Sequence, residues 1–445
     1  MSYRLDNNYD KFTLKILMVS TEFPPIPGGV GRYTKNLTDG LKRLGLKVSV
    51  LCNEIGAGDY AGIDPTNKNN STIILDVIDK YDPDLVHIQL EHGLYGLKMD
   101  SINPNKLSTN IDEFYEECKI PIITTFHSAY PFRQWMELSK YPKLQNKNMI
   151  TFSINSIKQI SDYWKRFINY RSFNLANKQK MQKSQASIAF SNYLAKLISE
   201  NKNTVSDEKS LRNFSVIYHG AEPSLNKQVR KREAREVFSL PLDRKMALFF
   251  GFSTHTKGWN ILNDLDIPDD WVVVVNQSEN LFNLSKPLPI NDQDQDGQKI
   301  PRHTEIKNLQ KDKTINLNRG FLTDNELSVL FYASDIIVLP YTVTSGSGVM
   351  FDALAHGLPF IATDLGFFKE FADQGLGIVA KRRPKEFAKA IKKLESEYLQ
   401  YTQRIERFNI ELTWDNVALQ HFELYTNVLG KNNKIKNTPY PYASP

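Results

Sequence analysis

The sequence predicts an α/β protein with two doubly wound, parallel-sheet domains facing each other across a cleft. Three observations predict it. The 445 residues are too many for one ordinary core. Short apolar runs rich in β-branched residues alternate with helical spacing, which is how a parallel sheet covered on both faces reads. That alternation occurs twice, once before and once after a polar stretch near residue 225.

The first series opens with residues 14–20 (LKILMVS), a buried strand. A loop rich in glycine and proline follows, FPPIPGGVGR, and residues 33–44 then place Leu37, Leu41 and Leu44 on one helical face. Strands are read at 47–52, 85–89 and 121–126, whereas 72–78 is apolar but ambiguous. Residues 133–183 are basic, aromatic and mainly helical in pattern. Residues 187–191 and 213–217 return to strand.

The second series has strands at 246–252, 271–275, 336–339 and 359–362, with helices at 327–332, 349–356, 384–397 and 414–429. The long polar region 276–313 reads as an inserted loop. These runs place a first domain at 1–225, a second at 226–409, a closing helix at 410–430, and a disordered tail at 431–445.

Hydrophobic residues make up 41% and charged residues 24%, a globular composition. The net charge of +6 accommodates an anionic ligand without demanding nucleic acid. Only Cys52 and Cys118 are present, with no metal or disulfide spacing. No signal peptide or membrane-length apolar run is visible, so the expected location is cytoplasmic, with peripheral contact at the inner face of the membrane left open.

Ligands of open parallel sheets bind beyond the carboxyl ends of the strands, so the loops there carry the candidate chemistry. Gly28 and Gly29 follow the first strand and open a helix, where bare backbone can approach a phosphate; a plain tight turn would look the same. The loop GFSTHTKG ends on Lys257, whose ammonium can neutralise a diphosphate, or can simply be solvated. Thr344, Ser345, Gly346, Ser347, Gly348 and Val349 follow the strand IIVLP and open a helix, forming an anion cradle of backbone N–H groups. Asp352 lies one turn further on the same side, placed either for a ribose or as a first-turn acid favoured by the helix dipole. His127 ends the strand IITTF and points into the cleft; Glu91 and His92 sit likewise after LVHIQ.

In this order the segments ILMVSTEFPPIPGGVGRYTKNL, HIQLEHGLYG, ITTFHS, AFSNYLAKLI, VIYHGAEP, LFFGFSTHTKGWNIL and SGSGVMFDALAHGLPFIATDLGFFKEF resemble retaining glycosyltransferases of the GT-B fold, family 4. The resemblance runs from Ile16 to about Tyr425. It implies that the closing helix 410–430 crosses back onto the first domain. It also implies that Gly28 and Gly29 approach a donor diphosphate, that Lys257 holds it, that His127 sits beside the transferred sugar and that Asp352 binds the ribose. Glu91 and His92 would lie toward the acceptor, a glycan, lipid-linked or small-molecule hydroxyl. Neither a metal nor a cofactor is implied, only a nucleoside diphosphate sugar as co-substrate. Two family residues are replaced: the first acid of the Glu, seven residues, Glu motif is Thr344, and the arginine before the loop lysine is Thr254. These replacements open the alternative of a weak or inactive member that serves as a nucleotide-sugar-binding or scaffold partner in glycan assembly.

Overall fold

The computed structural model describes residues 14–96, 98–99, 107–138, 152–199, 214–225, 229–278 and 313–430. Most of the polar region 276–313, the tail and part of the 133–183 segment lie outside the described residues.

The first parallel sheet has the order β3-β2-β1-β4-β7-β8-β9. Its members are β1 (Lys15–Val19), β2 (Lys47–Cys52), β3 (Tyr60–Ala61), β4 (Leu85–Leu90), β7 (Ile122–Phe126), β8 (Ala186–Ala189) and β9 (Phe214–Val216). The labels β5 and β6 belong to the small antiparallel pair Lys98–Met99 and Leu107–Ser108. In β4 every residue is buried, the polar His87 and Gln89 included. The ambiguous run at 72–78 is helix, Asn70–Tyr81, which buries Ile74 and Val77.

The glycine-rich loop feeds helix α1 (Gly29–Arg43), which buries Tyr33, Leu37 and Leu41. The expectation for Leu44 is corrected: it is 41% exposed, because the helix ends at Arg43 and Leu44 is its C-cap.

The second sheet runs β12-β11-β10-β13-β14-β15, all parallel. Its strands are β10 (Lys245–Phe252), β11 (Trp271–Ser278), β12 (Thr314–Asn316), β13 (Ile336–Leu339), β14 (Phe360–Thr363) and β15 (Gly377–Ala380). Successive side chains alternate between two cores, as the pleat requires. Leu248, Val274 and Ile337 enter one, and Phe249, Val275 and Ile336 the other.

The last helix, Trp414–Val428, packs on α1 and belongs to the first core through Trp414, Val417, Ala418 and Tyr425. Gly40 of α1 makes that approach possible: a Cβ there would stand 2.9 Å from the Ala418 methyl and 3.0 Å from the Trp414 carbonyl. The two chain passages between the halves lie side by side. Ala221 N–H donates to the Leu412 carbonyl at 2.8 Å, Trp414 N–H to Glu222 Oε1 at 2.7 Å, and Gly220 lies against the Trp414 ring. Among the described residues no helix is long and apolar enough to cross a membrane.

Candidate functional site

The site lies where the carboxyl ends of both sheets face each other. On the second half, β13 delivers the segment 340–347 to the helix Gly348–Ala355. Ser347 is the N-cap, its hydroxyl accepting from Met350 N–H at 3.2 Å. The first N–H groups of that helix have no partner within the helix, which keeps an anion-binding end at Gly348 and Val349.

Lys257 stands in a short 3₁₀ turn, His255–Lys257, followed by another at Trp259–Asp264 rather than by an α-helix. The turn is fixed by Gly258, whose φ is +69° and whose missing Cβ would fall 1.9 Å from the Pro340 carbonyl. Arg382 closes the corner, donating to that carbonyl at 2.9 Å. The Lys257 ammonium sits 3.8 Å from the centre of the Tyr341 ring, a cation–π contact that holds it over the cleft. Thr254 and Thr256 share a hydroxyl hydrogen bond at 3.0 Å, so the position before the lysine brings no cation of its own, and Arg382 is taken up by the Pro340 and Gly258 carbonyls.

One cavity of about 130 Å³ is lined by Lys257, Tyr341, Thr344, Ser345, Gly346 and Tyr130. The structure thus joins the loop lysine to the first half of the cradle. Across the cleft, the Ser345 hydroxyl donates to the His127 carbonyl at 3.2 Å. Thr344 N–H donates to Gln134 Oε1 at 2.8 Å, while the Thr344 hydroxyl is used by the Gly346 carbonyl at 2.7 Å.

His127 is packed edge-on against Tyr33 and Phe190. Burial, with His219 nearby, pushes its imidazole down to about 3, so it is neutral. Its Nε2 is 2.9 Å from Gln89 Oε1, and an amide oxygen only accepts, so Nε2 carries the proton. The Gln89 amide nitrogen, 3.2 Å from Met18 Sδ, fixes that orientation.

Gly28 and Gly29 differ sharply. A Cβ on Gly28 would lie 2.0 Å from the Glu22 carboxyl carbon, whereas one on Gly29 meets nothing within 4 Å. Glu22 is buried beneath the loop and caps α1, accepting from Gly31 N–H at 2.7 Å and also from Val30 N–H. Burial pushes its carboxyl up to about 7, against the pull of those two N–H groups. Burial raises the Glu91 carboxyl, against the opposing pull of the nearby Ser128 hydroxyl and Gly93 N–H. His92 is buried with its ring 4.6 Å from Phe173; burial, with Lys180 adding to it, holds it well below the usual imidazole range.

Asp352 is 3% exposed, and Arg32 Nη1 donates to its Oδ2 at 2.7 Å. His219 stacks on Phe351 and approaches to 3.5 Å of where a Gly348 Cβ would be. Burial brings the His219 imidazole down to about 4, partly offset by Asp352.

The fold therefore gathers Lys257, Thr344, Ser345 and Gly346 around one space, with the His127 carbonyl tied to Ser345 and Asp352 on the helix that follows the cradle. Glu22, Arg32, Gln89, Gln134, Tyr130 and His219 had no assigned part in the sequence reading. Glu22 and Arg32 bracket the glycine loop in the sequence, so their spacing was a usable signal. Gln134 reaches the site from 210 residues away and has no local signature.

Two family models match this chain: Glycosyltransferase Family 4 over residues 27–225 and Glycosyl transferases group 1 over residues 296–397. The chain is a glycosyltransferase of the GT-B fold. An uncharacterized glycosyltransferase of Methanocaldococcus jannaschii is 22% identical, the match covering 93% of this chain and 98% of that protein. Among solved structures, sucrose-phosphate synthase from Thermosynechococcus elongatus superposes with a TM-score of 0.61 at 16% identity, over 94% of this chain and 99% of that one. Anabaena HepE, solved in complex with UDP, gives a TM-score of 0.55 at 13% identity, covering 94% of this chain and all of that one. At these identities the structural likeness speaks for the fold, and the family models speak for glycosyl transfer.

Proposed function

We propose that this glycosyltransferase moves a hexose from a nucleoside diphosphate sugar to a hydroxyl acceptor with retention of configuration. The observation that carries the reading is the convergence of Lys257 with residues 344–346 on one cavity, Ser345 reaching the His127 carbonyl and Asp352 lying on the helix that follows. The diphosphate would lie on the N–H groups opening the helix Gly348–Ala355, with Lys257 balancing the charge that develops on it as the sugar departs. Asp352 would accept from the ribose. Neutral His127 would hydrogen-bond the sugar rather than add charge, and the acceptor would attack from the face the diphosphate leaves. No side-chain nucleophile and no metal enters this scheme. That HepE was solved with UDP supports a nucleotide donor by analogy of fold.

The test is transfer and donor hydrolysis with uridine, adenosine and guanosine diphosphate hexoses. Turnover with one of them is expected; absence of both turnover and nucleotide binding across the panel sinks the reading.

A second reading is favoured by Thr344: a nucleotide-sugar-binding protein with little or no transfer, acting as a partner in glycan assembly. Thr344 replaces an acid of the family motif, and its N–H is engaged by Gln134. Thr344→Glu separates the two. Donor binding without turnover in the natural protein, with turnover appearing in Thr344→Glu, establishes the second reading.

A further inference from the structure

Asp352 and Arg32 form the one described ion pair that joins the helix after the cradle to the helix after the glycine loop. Arg32 stands on α1, in the first half of the molecule, and Asp352 in the second, 320 residues away. Their contact bridges the two halves. A carboxylate as buried as this is costly to leave unpaired, and the Arg32 guanidinium is the partner it has.

The pair also leaves donors and acceptors over. Arg32 Nη1 engages Oδ2 of Asp352, which leaves Oδ1 for a hydroxyl. Arg32 Nε lies 3.0 Å from Asp324 Oδ1, yet it is buried with no hydrogen bond, since its proton is not aimed at that carboxylate. The guanidinium is a rigid fork of five N–H donors, well suited to a vicinal diol or a phosphate edge.

Charge balance points the same way. An anionic diphosphate one turn from a buried carboxylate is a repulsive arrangement unless a cation serves both. The turn at Lys257 has threonine where the family places an arginine. The cation at the other end of the segment 344–352 is Arg32.

We propose that Arg32 is a donor-site residue supplied across the cleft: it positions Asp352 for the ribose and supplies the nucleotide with the cation that Thr254 does not. The proposal rests on the nucleotide-sugar reading above. It makes ribose recognition a property of the closed molecule, shared by both halves.

The experiment is calorimetric titration of the full chain with uridine, adenosine and guanosine diphosphates and with their 2′,3′-dideoxy forms. The natural protein is expected to bind one diphosphate and to prefer the ribose form. Arg32→Ala is expected to weaken that binding by on the order of tenfold to a hundredfold and to bring the ribose and dideoxy forms close to parity. Arg32→Lys keeps the charge without the fork, and should recover part of the affinity but little of the ribose preference. It also serves if Arg32→Ala does not fold. A variant lacking the guanidinium that binds as tightly as the natural protein, or more tightly, with its ribose preference intact, overturns the proposal while leaving the nucleotide-sugar reading standing. A natural protein that binds no diphosphate removes that reading, and this inference with it.

Discussion

The two walls of the cleft are built differently. The wall from the second sheet is mostly main chain: the helix end at Gly348, the turn holding Lys257, and small residues between them. The wall from the first sheet is mostly side chain: Glu22 under the loop, His127 oriented by Gln89, Arg32 and Gln134 reaching over. A wall of main chain tolerates many side chains and fails when its one lysine is lost. A wall of side chains is sensitive to pH and packing at each member.

The largest expected effect tests the first wall. Lys257→Ala should lower the rate of transfer by on the order of 10² to 10³, as loss of one preorganised charge at a leaving group does. Steady-state kinetics with the working donor checks it, and a loss confined to acceptor KM would show that Lys257 does not serve the diphosphate.

The next effect tests the second wall through Glu22. Its folded-state value of about 7 exceeds the ordinary 4.5, so the folded protein holds that proton more tightly than the unfolded chain does. The stabilisation this gives is fully present below about 4.5 and is lost as the pH rises through about 7. The shift corresponds to about 3 kcal/mol. Glu22→Gln removes the titration, so its disadvantage relative to the natural protein should shrink between pH 5 and pH 8. Denaturant unfolding at the two pH values decides this; an unchanged difference rules the buried acid out as the source.

The glycine pair sharpens the contrast within one loop. Gly28→Ala should cost about 1–3 kcal/mol, because its methyl displaces the Glu22 carboxyl from the N–H groups it caps. Gly29→Ala faces open space and should be near neutral in the same unfolding assay. Equal losses at both positions would mean that backbone conformation, not Glu22, dictates the glycines.

The smallest effect concerns the seam between the walls. Ser345→Ala removes one hydrogen bond to the His127 carbonyl and should cost about 1 kcal/mol of donor binding or less. A loss of several kcal/mol would show that the seam, rather than Lys257, holds the cradle in place.

What was legible in the sequence follows the same division. The strand IIVLP and the small residues after it announce the cradle because amide groups at a helix start depend only on neighbours in the chain. The two sheets were legible because buried parallel strands are largely apolar, as in β13. β12 was not, since three residues of strand leave no periodicity, and the helix Tyr398–Leu412 was hidden by its polar content. Gln134 and the pairing of Arg32 with Asp352 could not be read, because contacts spanning 210 and 320 residues exist only after the sheets have formed. Leu44 misled because its spacing fits the helical face while the helix stops one residue earlier.

The side-by-side passages at Ala221–Leu412 and Glu222–Trp414 have a mechanical meaning. Two neighbouring stretches of chain, tied to each other by hydrogen bonds, make one covalent line of attachment, and Asn192 and Tyr193 on Glu370 make a second, non-covalent one. Bodies joined along one line turn about it as a book turns on its spine. A rotation about that line would separate Arg32 from Asp352 and Gln134 from Thr344 together.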